Sequence, residues 1–311
     1  MDTRQPGRET IAAIAARHRV PAERVRPAHP GVANHVFLLG EELVLRIPRT
    51  PAFVPDLRKE VEVIPAARAV GVRTPAVVAF DDSRSLLDLP YLVLVRTPGA
   101  DLAQLDRAET EAGQVFQQVG RELAKLHRLT ASRAAELPSV PADDAGEDPR
   151  DLVGRLRAEG HLDRDAARWL TGWFDRLATH LPPDPPHVLV HGDIAPQNLL
   201  VAPASATLTG IVDWGDAQWA DPAVEFAKIP LRGVPAMLDG YRQGLGHGVP
   251  GAADRWEARI LWHHLVWALT RLRDSAARPD HRHWSAPPAS RLLNLLRFFA
   301  SAPPAPWADL G

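Results

Sequence analysis

The chain has 311 residues, 45% of them hydrophobic, with a formal charge of −2 and a pI near 6.7. That is enough apolar material for one large domain or two lobes, and the charge gives no reason to expect nucleic acid or an anionic membrane as partner. Cysteine is absent, which excludes disulfides and thiolate metal sites, and no apolar run approaches the roughly 20 residues that span a bilayer.

In chain order, the polar start MDTRQPGRET lacks a signal-peptide core, so a cytoplasmic protein is expected. RETIAAIAARHR, residues 8–19, reads as a short helix ended by Pro21. NHVFLLGEELVLRIP shows two β-rich runs joined by GEE, a hairpin signal. PDLRKEVEVIPAARAVG has helical periodicity and a terminal Gly71, with Pro65 expected to kink or shorten it. PAVVAF and YLVLVR are short apolar runs bounded by turn residues and read as strands. After TPGADL, near residues 96–101, the pattern changes from β-rich to helical. EAGQVFQQVGRELAKLHRL is an amphipathic helix, and PADDAGEDP an exposed acidic loop. Helices follow near 150–158 and 163–180, then the breaker LPPDPP, the apolar HVLV and the strand candidate ATLTGIVDW. The remainder, including RWEARILWHHLVWALTRLRD and SRLLNLLRFFA, reads as mostly helical.

HGDIAPQNLL, following HVLV, has the pattern H-x-D-x-x-x-x-N in His191, Asp193 and Asn198; fifteen residues further on comes Asp213 in IVDWGD. In protein kinases H-R-D-x-x-x-x-N supplies a catalytic Asp and a metal-binding Asn, and D-F-G a second metal ligand. LVHGDIAPQNLLV and IVDWGDAQWADPAVEFA, with VGRELAKLHRL and YLVLVRTPGADL, resemble the aminoglycoside phosphotransferase and choline kinase family over roughly residues 25–300. The resemblance implies an α+β, two-lobed protein-kinase-like fold. Residues 1–96 would be a β-rich nucleotide-binding lobe, and 97–311 a helical lobe with the catalytic loop, metal site and acceptor site.

The implied reaction moves the γ-phosphoryl of ATP or GTP to a hydroxyl of a small molecule with Mg²⁺. An antibiotic (aminoglycoside, macrolide or similar) leads as acceptor; a metabolic alcohol such as choline, a sugar or homoserine is the second reading. A pseudokinase-like binding module stands as the non-enzymatic alternative. Asp193 is expected to orient the acceptor hydroxyl and accept its proton. Asn198 and Asp213 would give magnesium the hard oxygen ligands it prefers. His191 is expected to brace the loop, and Asp221 to cap the helix starting at Pro222.

A kinase-like small lobe carries a phosphate-holding cation on its third strand. The strand here is ELVLRIP, so the role falls to Arg46; none of the three lysines, Lys59, Lys125 and Lys228, lies on it. Arginine is always charged, and its fork suits phosphate; the opposing reading is an edge-strand Arg facing water. Glu60 or Glu62 would hold Arg46, but residues two apart do not share a helix face, and Glu60 is the expected partner. HPGVANHVF stands at the glycine-rich loop position, with Gly31 and Asn34 as phosphate-loop candidates or, equally, an ordinary hairpin turn. Backbone groups from Val93 to Arg96, Val95 among them, are expected to meet the nucleobase edge, with Val44 against its ring. On the acceptor side, Asp143, Asp144, Glu147 and Asp148 are a solvated run or a polycation surface. Trp256, Glu257 and His263 are candidates for acceptor contact, and Asp216 either assists near the metal and acceptor or stabilises its loop. Trp262, Leu265, Val266 and Leu269 fall at core spacing.

Overall fold

In a computed structural model, residues 6–28, 31–105, 109–143, 147–246 and 256–273 are described, together with Leu295 and Trp307. Asp144 and most of the SRLLNLLRFFA segment lie outside them. The chain opens with α1 (Arg8–Arg17), β1 (Val25–Pro27), β2 (Asn34–Leu39), β3 (Leu43–Pro48), α2 (Val54–Ala69), β4 (Val77–Asp81) and β5 (Tyr91–Val95). The strands form one antiparallel sheet in the order β1-β2-β3-β5-β4. β1 has no counterpart in the sequence reading.

Period-2 alternation sorts the residues of this sheet. Phe37, Leu39, Leu45, Ile47, Tyr91 and Val93 pack under Ile11, Ile14 and Ala15 of α1. The opposite face carries Val36 paired with Arg46 and Leu38 paired with Val44. On the same face Leu92 and Leu94 join Leu57, Val63, Ile64 and Ala67 of α2 in the main core. α2 runs on through Pro65 to Ala69, so the proline does not shorten it.

The next strand, β6 (Ala100–Asp101), belongs to a different sheet. α3 (Glu109–Leu126), α4 (Pro149–Ala158), α5 (Arg164–Ala178), β7 (Val188–Val190), β8 (Leu199–Val201), β9 (Leu208–Ile211), β10 (Gln218–Ala220), α6 (Val234–Leu245) and α7 (Trp256–Thr270) follow. Two small sheets, β6-β8-β9 and β10-β7, carry the segments of interest on their ends. α3 and α6 touch backbone to backbone: a Cβ on Gly120 would fall 1.9 Å from the Met237 carbonyl oxygen, and one on Gly240 1.9 Å from that of Gln117. Among the described residues no helix is long and apolar enough to cross a membrane.

Candidate active site

β7 ends at Val190, and the chain turns through Gly192, whose φ is +80°. A Cβ there would lie 2.2 Å from the Asp216 carbonyl oxygen. Glycine is therefore required both by conformation and by contact with the loop that follows β9. His191 is fully buried between these two loops. Its Nδ1 accepts from the Asp193 amide at 3.2 Å, so Nε2 carries the proton and donates to the Val212 carbonyl at 3.1 Å. The ring rests on Trp214, centroids 4.5 Å apart. His191 thus ties the amide of Asp193 to the residue preceding Asp213, the bracing expected of it. Beneath the turn, the His191 and Gly192 amides both donate to the buried Glu225 carboxylate, the second at 3.2 Å.

Asn198 Nδ2 donates to Asp193 Oδ2 at 2.7 Å and to the Asp193 carbonyl at 2.9 Å. This orientation spends the amide end on Asp193 and leaves the carboxamide oxygen as the end suited to a cation. Lys228 Nζ donates to Asp193 Oδ1 at 2.9 Å. Asp213 sits at φ +71°, a left-handed conformation uncommon outside glycine, with a half-exposed side chain.

Arg46 joins the two lobes. One guanidinium nitrogen reaches Glu60 Oε1 at 2.6 Å and the other Asp213 Oδ1 at 2.6 Å. The Trp214 amide adds a bond to Glu60 Oε1 at 3.1 Å. Arg46 is therefore not a solvent-facing edge residue. Glu62 turns away and binds Ser139 through its amide (2.9 Å) and hydroxyl (2.6 Å). Lys59 reaches the Gly215 carbonyl at 2.5 Å.

Burial pushes the Glu60 carboxyl up to about 7, with Asp213 adding repulsion, against the attraction of Arg46. Its Oε2 is buried with no hydrogen-bond partner, which accounts for the direction. A raised folded-state value contributes stability that is present at low pH and lost as pH rises through about 7. Glu60→Gln removes this titration. Thermal unfolding at pH 5 and pH 8 should show wild type losing stability relative to that variant; parallel changes would contradict the assignment.

Several expectations need correction. Val93 is buried in the middle of β5, between Leu45 of β3 and Ala79 of β4, so its backbone lies inside the sheet rather than at an edge. The Val95 amide donates to Ala76 (2.8 Å) and the Arg96 amide to Glu42 (2.6 Å), so these two donors of the expected hinge are already engaged within the fold. The Gly31 carbonyl accepts from Arg49 at 2.9 Å, and a Cβ there would make only ordinary contacts, so nothing demands glycine. Asn34 is buried at the end of β2, opposite Pro48, on the face that carries Arg46. Val44 shares that face and is partly exposed.

On the acceptor side, Trp256 is core, packed edge-on against Tyr241 (5.1 Å) and Phe226 (6.2 Å). Glu257 pairs with Arg242 at 3.0 Å. The packing of Trp256 leaves it no face for an acceptor. His263 Nε2 lies 3.7 Å from Asp221 Oδ2. Asp221 caps the turn at Pro222, as expected, by accepting from the Ala223 amide at 2.8 Å. Asp216 is exposed at the rim, its Oδ2 3.8 Å from Lys228. Of the acidic run, Glu147 pairs with Arg155, and Asp148 caps α4 at the Arg150 amide (2.8 Å), which is a local structural use. Trp262 and Val266 are partly buried against the core, and Leu265 and Leu269 are inside it.

Residues 24–259 match the model of the phosphotransferase enzyme family. The chain belongs to that family. Viomycin phosphotransferase of Streptomyces vinaceus is 30% identical over 262 residues, which cover 79% of this chain and 86% of that one. Among solved structures, wild-type aminoglycoside 2'-phosphotransferase-IIIa with GDP matches with a TM-score of 0.67 at 20% identity, covering 89% and 92% of the two chains. Macrolide 2'-phosphotransferase MphH from Brachybacterium faecium matches at 0.63 and 21%, covering 86% and 94%. The fold is thus the kinase-like α+β fold, and this member of the phosphotransferase enzyme family is a kinase acting on hydroxyl groups. Sequence reasoning missed Lys228 and Glu225. Only the scarcity of lysine marked the first, and nothing local marked the second.

Proposed function

We propose that the protein is a magnesium-dependent O-phosphotransferase that takes its phosphoryl from ATP or GTP and gives it to a hydroxyl of an antibiotic. The contact of Arg46 with Asp213 carries this reading: it joins a fixed cation on the sheet to the acidic loop opposite, beside Asp193 and Asn198. A nucleotide triphosphate would enter between them, its phosphates drawn to Arg46 and its ring under Val44. Asp213 and the Asn198 carboxamide would hold magnesium. The fit lies in the donor set, since magnesium takes few protein oxygens and relies on phosphates and water. When bound, the metal neutralises charge on the phosphates being separated. Asp193 orients the acceptor hydroxyl and accepts its proton.

The viomycin phosphotransferase relative favours an antibiotic acceptor. The test is a phosphotransfer screen with ATP and GTP against viomycin, aminoglycosides, macrolides and metabolic alcohols, with and without magnesium. Phosphorylation of an antibiotic is the expected result. Turnover confined to a metabolic alcohol would replace the acceptor class, and nucleotide binding without turnover of any acceptor would sink the enzymatic reading.

A further inference from the structure

Asp193 is gripped at both carboxylate oxygens, by Asn198 at Oδ2 (2.7 Å) and by Lys228 at Oδ1 (2.9 Å). Among the described residues no other cation pairs with it. Lys228 is 35 residues away in sequence. It stands between buried Ala227 and Ile229, directly after the turn that Asp221 caps and that carries Glu225. Its side chain is one-fifth exposed, and its other anionic neighbour is Asp216 at the rim, at 3.8 Å. Two of the chain's three lysines have other uses: Lys59 bonds the Gly215 carbonyl, and Lys125 the Glu122 carboxylate at 2.8 Å. Lys228 alone is spent on the carboxylate that faces the acceptor.

We propose that Lys228 is a positioning residue for phosphoryl transfer, acting through Asp193; this rests on the reading of Asp193 as acceptor base. Two donors on opposite oxygens stop the carboxylate from rotating, and each oxygen keeps a second lone pair for the acceptor hydroxyl. In the transfer step the acceptor oxygen bonds to the γ-phosphorus as the bond to the β,γ-bridging oxygen breaks. That oxygen keeps the electron pair on the nucleoside diphosphate, and the hydroxyl proton passes to Asp193. Arg46 supplies fixed positive charge on the donor side of this step; Lys228 supplies it on the acceptor side.

The test reads phosphate release from magnesium–ATP and magnesium–GTP with water as acceptor, so no antibiotic need be known. Lys228→Met should lower kcat by about 100-fold, the cost of a misplaced catalytic group, with KM for nucleotide and the unfolding midpoint unchanged. Lys228→Arg should recover most of the loss. In an Asp193→Asn background Lys228→Met should cost nothing further, because residues acting as a unit are not additive. Full activity of Lys228→Met, a further loss in the Asp193→Asn background, or a fall in the unfolding midpoint that accounts for the lost activity would overturn the proposal. If Asp193→Asn itself keeps normal turnover, the base assignment fails and the role of Lys228 fails with it. If Asp193→Asn is inactive while Lys228→Met is normal, the function reading stands and only the Lys228 proposal falls.

Discussion

Asp193→Asn should lower kcat by about a thousandfold or more while nucleotide affinity stays as in wild type, a loss within the range for a general base and its orientation. The substitution preserves shape but removes the proton acceptor. It also breaks the local bonding pattern. Asn198 donates to one oxygen of Asp193 and Lys228 to the other, whereas a carboxamide offers only one acceptor atom. One of the two contacts must therefore be lost with the charge. Arg46 and Glu60 make no hydrogen bond to Asp193, so a titration with ADP or GDP without magnesium should be unaffected; Asn198, the proposed metal ligand, does bond Asp193, so any weakening should appear only in the magnesium dependence. A variant with near-normal turnover would remove Asp193 from the chemistry; one that no longer binds nucleotide would show a wider collapse of the loop.

The largest stability effect is expected at Arg259, which is 1% exposed, stacks over Trp256 at 4.6 Å and pairs with Asp221. Burial works against the charge of Asp221, yet His263 and Arg259 hold its carboxyl down at about 2. Arg259→Met would keep the bulk and leave that carboxylate buried without its main counterion. The expected cost is about 3–5 kcal/mol, or a fall of about 5–8 °C in the unfolding midpoint for a chain of this size. Adding Asp221→Asn should recover a large part of the loss, because the penalty is the unpaired charge rather than the missing contact. Calorimetry on the single and double variants decides it. A single variant within about 1 kcal/mol of wild type would mean that His263 suffices as partner.

The residues that could be read in advance are those whose signal is local. His191, Asp193 and Asn198 lie in one loop, and Asp213 follows a short strand, so spacing alone grouped them. Glu60 was separable from Glu62 because helix geometry lets only one of them face β3. Glu225 and Lys228 reach the catalytic loop across more than 30 residues of chain, and no periodicity reports such a contact. Trp256 had the composition of a ligand-facing aromatic, but its angle on α7 turns it toward Tyr241 and Phe226. The hinge amides were misjudged because the fate of Val95 and Arg96 depends on Ala76 and Glu42, residues of neighbouring segments that pair with them only in the folded sheet.

If nucleotide phosphates sit against Arg46 as proposed, the guanidinium there also decides how this protein can be detected. Nucleotide analogues that acylate an amine beside the phosphates need a nucleophilic lone pair, and arginine, protonated at every working pH, has none. Such reagents would pass over Arg46 and react, if at all, with Lys59 or Lys228, the amines that border the same loops. Under that proposal, a profiling experiment that recognises nucleotide-binding enzymes by a phosphate-site lysine would miss this one or report a modified peptide from α2 or from the segment after the Pro222 turn.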